Sequence, residues 1–219
     1  MKKTHIKICC IQSVDEANLA INAGATALGL VGHMPSGPGI IADDLIAEIA
    51  ATVPKHIETF LLTSETKAAD IIEHHSKVNT TTIQIVDALI AGSHVQIKTA
   101  LPHVTIVQVL HVLNEETIDE AMEIAKYVDV ILLDSGNPNL ATKELGGTGR
   151  IHNWEISKEI VEKVKIPVFL AGGLNPSNAS KALKTVKPYG LDLCSGVRTN
   201  GALDIHKLTS FFKAIENSI

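Results

Sequence analysis

Short apolar runs alternate with segments of helical periodicity along the whole chain. Runs at residues 5–10, 26–31, 56–62, 81–85, 104–110, 128–133, 167–170 and 191–194 predict eight strands. Helical patterns at residues 13–24, 41–51, 64–76, 88–99, 114–126, 153–164, 175–186 and 204–216 follow them in turn. Because the runs are apolar at nearly every position, both faces of each strand are expected to be buried, as in a parallel sheet.

Eight strand–helix units predict an α/β protein whose residues 1–219 form a single (β/α)8 TIM barrel. The alternative is an open doubly wound sheet, but no G-x-G-x-x-G loop follows the first strand, which disfavours its nucleotide-binding form. Two connections are long, at residues 32–40 and 134–152. Both follow carboxyl ends of strands, where such barrels place their active sites.

Composition narrows the function. Aromatic residues make up only 3% of the chain, the formal net charge is −5, and no basic stripe is present, so nucleic acid is not an expected partner. No apolar run reaches the roughly 18 residues of a membrane span, so no membrane partner is expected. Three cysteines do not form a disulfide framework, and the reducing cytoplasm is the expected location. The histidines lack metal-ligand spacing, so no metal is expected.

Cys9 and Asp134 are the side chains best suited to proton transfer. They end the first and sixth predicted strands, at the rim of the active face of a barrel. A thiol removes a proton near neutral pH only when neighbours lower its pKa, and a carboxyl group donates one only when its pKa is raised. The pair predicts acid–base catalysis; the simpler interpretations are a buried structural cysteine and a loop-organising aspartate.

Three glycine-bearing loops point to a phosphate group. One lies in the long connection at residues 146–149, and the other two follow the last two strands. Glycine lets backbone N–H groups approach an anion, and barrels often hold a phosphate after strands seven and eight. The predicted phosphate-binding residues are Gly147, Gly149, Gly172, Gly173, Ser195 and Gly196.

Polar side chains also lie inside three predicted strands. Lys7 in the first strand and Asp192 in the eighth become neighbours if the barrel closes, and they are expected to form a partly desolvated ion pair. Gln84 in the fourth strand is a candidate for a hydrogen bond to substrate, or else a satisfied core amide. All three are predicted to lie at the substrate-binding end.

Taken together, five motifs resemble the phosphoribosylanthranilate isomerase family of tryptophan biosynthesis, from the first strand to the last and in the same order. The motifs are Lys7-Ile8-Cys9, Leu132-Leu133-Asp134, Gly146-Gly147-Thr148-Gly149 with Trp154 beyond it, Leu170-Ala171-Gly172-Gly173-Leu174-Asn175-Pro176, and Asp192-Leu193-Cys194-Ser195-Gly196-Val197. The resemblance implies a (β/α)8 barrel that performs an Amadori rearrangement of a phosphorylated, sugar-derived aldosylamine without a cofactor.

The resemblance also implies roles for individual residues. Asp134 is the implied general acid, which protonates the furanose ring oxygen and opens the ring to a Schiff base. Cys9 is the implied general base, which removes the proton from C2 of the sugar. Asp192 and Gln84 correspond to family positions near the ribose and the amino group, and the glycine loops surround the phosphate.

Several positions depart from the family pattern, among them Gln12, where a threonine is usual. Cys10 stands where glycine is usual after the cysteine, and Gly39 stands where an arginine holds the anthranilate carboxylate. Val86-Asp87 replaces a His-Gly pair, and Arg198 replaces a glutamate. From charge alone, Arg198 is hypothesised to bind the carboxylate in place of the missing arginine.

Two rival functions stay open at this point. One is a paralogous isomerase acting on another phosphorylated aldosylamine or sugar phosphate, which the change at Gly39 favours. The other is a phosphate-ligand-binding barrel without turnover, which the presence of Cys9 and Asp134 disfavours. The sequence leaves open the oligomeric state and any redox role of Cys10 and Cys194.

Overall fold

Eight parallel strands pair in chain order and close into a ring in the computed structural model, which describes residues 4–216. They are β1 (His5–Ile8), β2 (Ala27–Val31), β3 (Glu58–Thr63), β4 (Thr82–Ile85), β5 (Thr105–His111), β6 (Val130–Asp134), β7 (Val168–Leu170) and β8 (Gly190–Leu193). β1 pairs with β8 from His5 opposite Gly190 to Ile8 opposite Leu193, which closes the barrel. The predicted (β/α)8 fold is confirmed; the three residues at each end of the predicted domain lie outside the described ones.

A helix follows each strand on the outside of the ring. The helices are α1 (Val14–Ala23), α2 (Asp43–Thr52), α3 (Ala68–Val78), α4 (His94–Ala100), α5 (Glu116–Ile124), α6 (Trp154–Lys163), α7 (Ala179–Val186) and α8 (Ile205–Glu216). Within residues 4–216, none of them has the length and apolar character to cross a membrane.

Local sequence signals fix both ends of α1. The Ser13 hydroxyl accepts a hydrogen bond from the N–H of Glu16 at 3.1 Å, as a capping residue should. Gly24 ends the helix in the left-handed conformation, and its N–H bonds to the carbonyl groups of Ala20 and Ile21. Both signals were readable in the sequence, and this helix lies where it was predicted.

Three predicted helix starts are wrong, and at α3 and α4 contacts distant in sequence hold the preceding residues outside the helix. Residues 64–67 do not belong to α3: the carbonyl group of Thr66 accepts from Ile90, and Ala68 donates to Ala91. These bonds also keep residues 88–92 out of α4, which begins only after its Ser93 cap. α7 begins at Ala179 rather than at residue 175.

A small antiparallel hairpin after β8 was not predicted. It consists of β9 (Arg198–Thr199) and β10 (Ala202–Leu203), which follow a single 3-10 turn at Ser195–Val197. Strands of two residues are too short to show a periodic pattern, so they could not be predicted from the sequence. The hairpin brings Arg198 back toward the start of the chain.

Two separate apolar layers bury the strands. One lies between the strands and the surrounding helices and includes Ile8, Leu30 and Leu133. The other fills the inside of the ring, where Phe60 and Phe169 meet edge to face with ring centroids 6.0 Å apart. Because side chains alternate along a strand, β2, β3, β5, β6 and β7 supply both layers, which explains their continuous apolar runs. On β1, β4 and β8 the inner positions are instead the buried polar residues Lys7, Gln84 and Asp192.

The predicted ion pair between Lys7 and Asp192 lies inside the ring, across the β1–β8 closure. Lys7 Nζ is 2.9 Å from Asp192 Oδ2, its side chain is fully buried, and it stands 5.3 Å from the centre of the Phe60 ring. Burial alone would lower the pKa of Lys7, but the Asp192 carboxylate and the nearby Cys9 outweigh it and raise that pKa. Lys7 therefore stays charged in the core.

Replacing Lys7 with methionine is expected to lower the free energy of unfolding by about 3–5 kcal/mol, because Asp192 would remain buried without its partner. The double variant Lys7→Met/Asp192→Leu removes both charges and should recover most of that loss. Urea unfolding of the two variants and the parent measures both effects. A single variant as stable as the parent would contradict the assignment.

Candidate active site

An open cavity of about 680 Å³ lies at the carboxyl ends of the strands. The predicted site residues that line it are Cys9, Gln84, Asp134, Gly147, Gly149, Gly172, Gly173, Asp192 and Ser195. Lys7, Gly196 and Arg198 are not among its lining residues. The structure therefore brings together residues from five of the eight strand ends around one space.

Cys9 follows β1 directly and is held against β8, since its N–H donates to the carbonyl group of Leu193 at 2.7 Å. Its side chain is buried within the cavity wall. Hydrogen bonding from Cys10 and the charge of Lys7 lower the pKa of the Cys9 thiol, against the opposing effect of burial. A lowered pKa favours the thiolate, which is the form that accepts a proton.

Asp134 is the last residue of β6 and is buried. Its Oδ1 accepts a hydrogen bond from the N–H of Ser135 at 2.7 Å. Burial raises the pKa of Asp134 above its ordinary value, and the Ser135 N–H and the nearby His111 only partly offset that effect. A raised pKa favours the protonated carboxyl group, which is the form that donates a proton.

Gln84 and Asp192 present unpartnered oxygen atoms within the cavity wall. Among the described residues, Gln84 Oε1 and Asp192 Oδ1 are buried and have no hydrogen-bond partner. Leaving a buried acceptor unpaired costs free energy, so such atoms call for a donor from a ligand or water. Lys7 lies behind Asp192 and binds its other oxygen, which leaves Oδ1 free for that donor.

The glycine loops meet on the opposite side of the cavity from Gln84. Gly147, Gly149, Gly172 and Gly173 all have positive φ, between 63° and 80°. A Cβ placed on Gly149 would lie 3.5 Å from Ser195 Oγ, so the long loop after β6 reaches the turn after β8. Backbone N–H groups and hydroxyls concentrated in this way provide donors for an anion.

Gly196 lies in the 3-10 turn next to Ser195 rather than in the cavity wall. A Cβ at this position would lie 1.9 Å from the carbonyl oxygen of Leu174, which no side chain tolerates. The glycine is therefore required for the loops after β7 and β8 to pack together. Its contribution to an anion site is to bring these loops close.

Arg198 is placed differently from its predicted role. Its guanidinium group forms an ion pair with Glu16, with Nη2 2.9 Å from Oε2, and it donates to the carbonyl oxygens of Cys9 and Cys10. Burial alone would raise the pKa of Glu16, but Arg198 and the N–H of Leu203 outweigh it and lower that pKa. Arg198 thus holds the β1–α1 turn from behind, and its expected contact with a substrate carboxylate stays a prediction.

Two departures from the family pattern touch each other. Cys10 has φ 64°, in the left-handed region that favours glycine. A Cβ on Gly39 would lie 2.4 Å from the Cβ of Cys10, so the Cys10 side chain occupies the space that a residue 39 side chain would need. The sequence shows that both positions are unusual, but only the structure shows that the Cys10 side chain fills the space beside Gly39.

Sequence reasoning missed most of the apolar wall and the roof of the cavity. Met34 and Pro38 from the loop after β2, and Leu145 from the loop after β6, all line it. Ser36 Oγ donates to the Lys143 carbonyl at 2.6 Å and ties the two loops together. The length of these loops was the available signal, since long loops in a compact domain are usually functional.

A closed barrel with an acid, a thiol and glycine loops at the carboxyl ends of its strands defines a (β/α)8 barrel enzyme. The family described as N-(5'-phosphoribosyl)anthranilate (PRA) isomerase matches residues 6–214. The chain therefore belongs to the PRA isomerase family, as its motifs predicted.

Individual relatives agree with this membership. N-(5'-phosphoribosyl)anthranilate isomerase 2 from Methanosarcina mazei is 33% identical over 214 residues, which cover 97% of this chain and 94% of the relative. The crystal structure of phosphoribosyl anthranilate isomerase from Thermotoga maritima has a TM-score of 0.80 at 23% identity, over 98% of this chain and all of that one. A further isomerase structure, in complex with reduced 1-(o-carboxyphenylamino)-1-deoxyribulose 5-phosphate, has a TM-score of 0.78 at 21% identity and covers 98% of this chain and 100% of that one.

Replacing Asp134 with asparagine is expected to raise the free energy of unfolding at pH 8 by about 0.5–2 kcal/mol. The folded-state pKa is raised, so the native state loses stability as pH rises from the unfolded value through the folded one. The amide has no charge to bury, so the advantage of the variant should shrink at pH 4. Urea unfolding at both pH values measures it, and a variant less stable than the parent at pH 8 would contradict the burial argument.

Replacing Gly39 with alanine is expected to destabilise the protein by roughly 1–3 kcal/mol, because the new methyl group collides with Cys10. In a Cys10→Gly background the 2.4 Å contact with the Cβ is removed, and the cost should fall to that of a positive φ at residue 39 and a 2.9 Å approach to the Cα of residue 10. A double-mutant cycle measures the coupling between the two positions, expected at about 0.5–3 kcal/mol. Additive effects would show that the two residues do not share this space.

Proposed function

We propose that the protein catalyses the isomerisation of N-(5'-phosphoribosyl)anthranilate in tryptophan biosynthesis, with Cys9 and Asp134 as its proton-transfer groups. One observation carries the proposal: a thiol with a lowered pKa and a carboxyl group with a raised pKa line the same cavity as the glycine loops. Membership of the PRA isomerase family supplies the reaction. The geometry supports the assignment of Asp134 as the general acid and Cys9 as the general base.

Asp134 acts first, as the general acid. Its raised pKa keeps a proton on the carboxyl group, and that proton is transferred to the ring oxygen of the furanose. The C1–O bond then breaks as the nitrogen lone pair forms the C=N bond of a Schiff base. Asp134 is left as a carboxylate, which regains its proton before the next turnover.

Cys9 acts second, as the general base. Its thiolate removes the proton from C2 of the opened sugar, and the electron pair moves through C1 to neutralise the iminium nitrogen. The resulting enolamine tautomerises to the ketose as C1 gains the proton held by Cys9 and the C2 hydroxyl gives up a proton that restores the Asp134 carboxylic acid. Each residue works in the protonation state that its surroundings favour, which is how two groups share acid and base duties near pH 7.

The remaining lining residues hold the substrate. The free Oδ1 of Asp192 and Oε1 of Gln84 accept hydrogen bonds from its hydroxyl and amino groups. Gly147, Gly149, Gly172, Gly173 and Ser195 surround the phosphate with backbone and hydroxyl donors, and Gly196 lets the last loop close on them. Lys7 keeps Asp192 oriented from below.

The aglycone end supports a second candidate, an isomerase for a phosphorylated aldosylamine without the aromatic acid. Among the described residues that line the cavity, none is a lysine, arginine or histidine. A carboxylate bound to these described lining residues would therefore be held by uncharged donors, such as backbone N–H groups and the Ser36 hydroxyl. Comparing kcat/KM for N-(5'-phosphoribosyl)anthranilate and N-(5'-phosphoribosyl)aniline separates the two: a preference of at least tenfold for the anthranilate supports the first reading, and equal values support the second.

Replacing Cys9 with alanine, or Asp134 with asparagine, is expected to lower kcat by about 10²–10⁴-fold, which is the usual contribution of one proton-transfer group. The assay follows the loss of fluorescence of N-(5'-phosphoribosyl)anthranilate. Asp70→Asn is the matched control, since Asp70 is partly exposed, pairs with Lys67 and is not among the residues that line the cavity. Parental kcat in Cys9→Ala would remove the thiol from the mechanism.

A further inference from the structure

Cys10 has a backbone conformation that its position does not require. Side chains alternate along a strand, so a regular continuation of β1 would point Cys9 into the cavity and Cys10 away from it. Instead Cys10 has φ 64°, and both cysteines line the cavity. A non-glycine residue in this region is strained, and such strain concentrates at functional sites.

The surrounding structure holds Cys10 in this conformation from two sides. Arg198 donates from behind to the carbonyl oxygens of Cys10 and of Cys9, and it is itself fixed by its ion pair with Glu16. On the cavity side, the bare Cα of Gly39 leaves the space into which the Cys10 side chain extends. The hydrogen bonds from Arg198 and the free space beside Gly39 therefore together position the Cys10 thiol.

We propose that Cys10 is a positioning residue, whose S–H group donates a hydrogen bond to the Cys9 sulfur and stabilises the Cys9 thiolate. This rests on the proposed function, in which that thiolate takes the C2 proton. The strained turn is the means by which the chain places a donor beside its base. In a regular strand the same side chain would be directed away from Cys9.

The pKa shifts of Cys9 and Cys10 agree with this arrangement. Hydrogen bonding to Cys194 and to Cys9, together with burial, raises the pKa of Cys10 well above its ordinary value, so Cys10 keeps the proton that a donor needs. The same contact lowers the pKa of Cys9. Other charged or titratable groups that act on Cys9 or share its cavity are Lys7, Asp192, Asp134 and Cys194.

The test measures the thiolate of Cys9 directly. The rate of Cys9 alkylation by iodoacetamide is followed from pH 5 to 10, with tandem mass spectrometry distinguishing Cys9 from Cys10 in the same peptide. Cys10→Ala and Cys10→Ser form a matched pair, because both keep a Cβ at the positive φ but only serine retains a donor. Cys10→Ala is expected to move the midpoint of Cys9 upward by roughly one pH unit, and Cys10→Ser is expected to stay close to the parent.

Steady-state kinetics provide the second readout. In Cys10→Ala the acidic limb of kcat/KM should move by the same amount as the alkylation midpoint, which a purely structural role for Cys10 would not produce. An unchanged alkylation midpoint in Cys10→Ala overturns the proposal, as does a serine variant that behaves like alanine. If alanine at this position prevents folding, Cys10→Gly replaces it, because glycine relieves the strain and also lacks the donor.

Failure of the proposed function gives a different result. If Cys9→Ala retains parental turnover, Cys9 is not the base, yet the alkylation midpoints still report whether Cys10 stabilises its thiolate. If Cys9→Ala is inactive and the midpoint of Cys9 alkylation is unchanged in Cys10→Ala, the proposed function is retained and the proposed role of Cys10 is rejected. The two claims are therefore separable in one set of variants.

Discussion

The buried contact between Lys7 and Asp192 is the interaction on which both the fold and the site depend. It joins the first strand to the last, where an eight-stranded sheet must meet itself, and it lies directly below the cavity. A charge in this position is tolerated only because its partner is 2.9 Å away. The same ammonium group helps to lower the pKa of Cys9, so one charge both links β1 to β8 and favours the Cys9 thiolate.

Cys9 and Asp134 line one cavity, yet the pKa of Cys9 is lowered and that of Asp134 is raised, because their surroundings differ. Cys9 has a hydrogen-bond donor and a cation beside it, which favour the charged form. Asp134 on β6 experiences mainly burial, which favours the neutral form. Loops after β2 and β6 complete the wall around both groups.

The sequence predicted the barrel well because its strands are buried on both faces and its units repeat eight times. It located Cys9, Asp134 and the glycine loops because strand ends can be read from apolar runs. It misplaced the start of α4 because the residues before it are held by backbone bonds to Thr66, a partner that no local pattern reveals. The partners of Arg198 were equally hidden, since they depend on a hairpin of two-residue strands.

The contact between Cys10 and Gly39 shows a further limit of local reasoning. Each substitution on its own reads as the loss of a useful residue, a flexible glycine in one case and a cation in the other. Only the positive φ of Cys10 shows that one side chain fills the space left by the other. Two residues 29 positions apart in the chain are thus a single structural unit.

The Glu16 carboxylate accepts hydrogen bonds from early and late parts of the chain: from the N–H of Gln12, the guanidinium group of Arg198 and the N–H of Leu203. The groups that surround Cys9 therefore come from sequence-distant segments, since β8 pairs with β1 and Arg198 reaches back from the hairpin. A variant without the hairpin would keep Cys9 but would lose the guanidinium group that binds the carbonyl oxygens of Cys9 and Cys10.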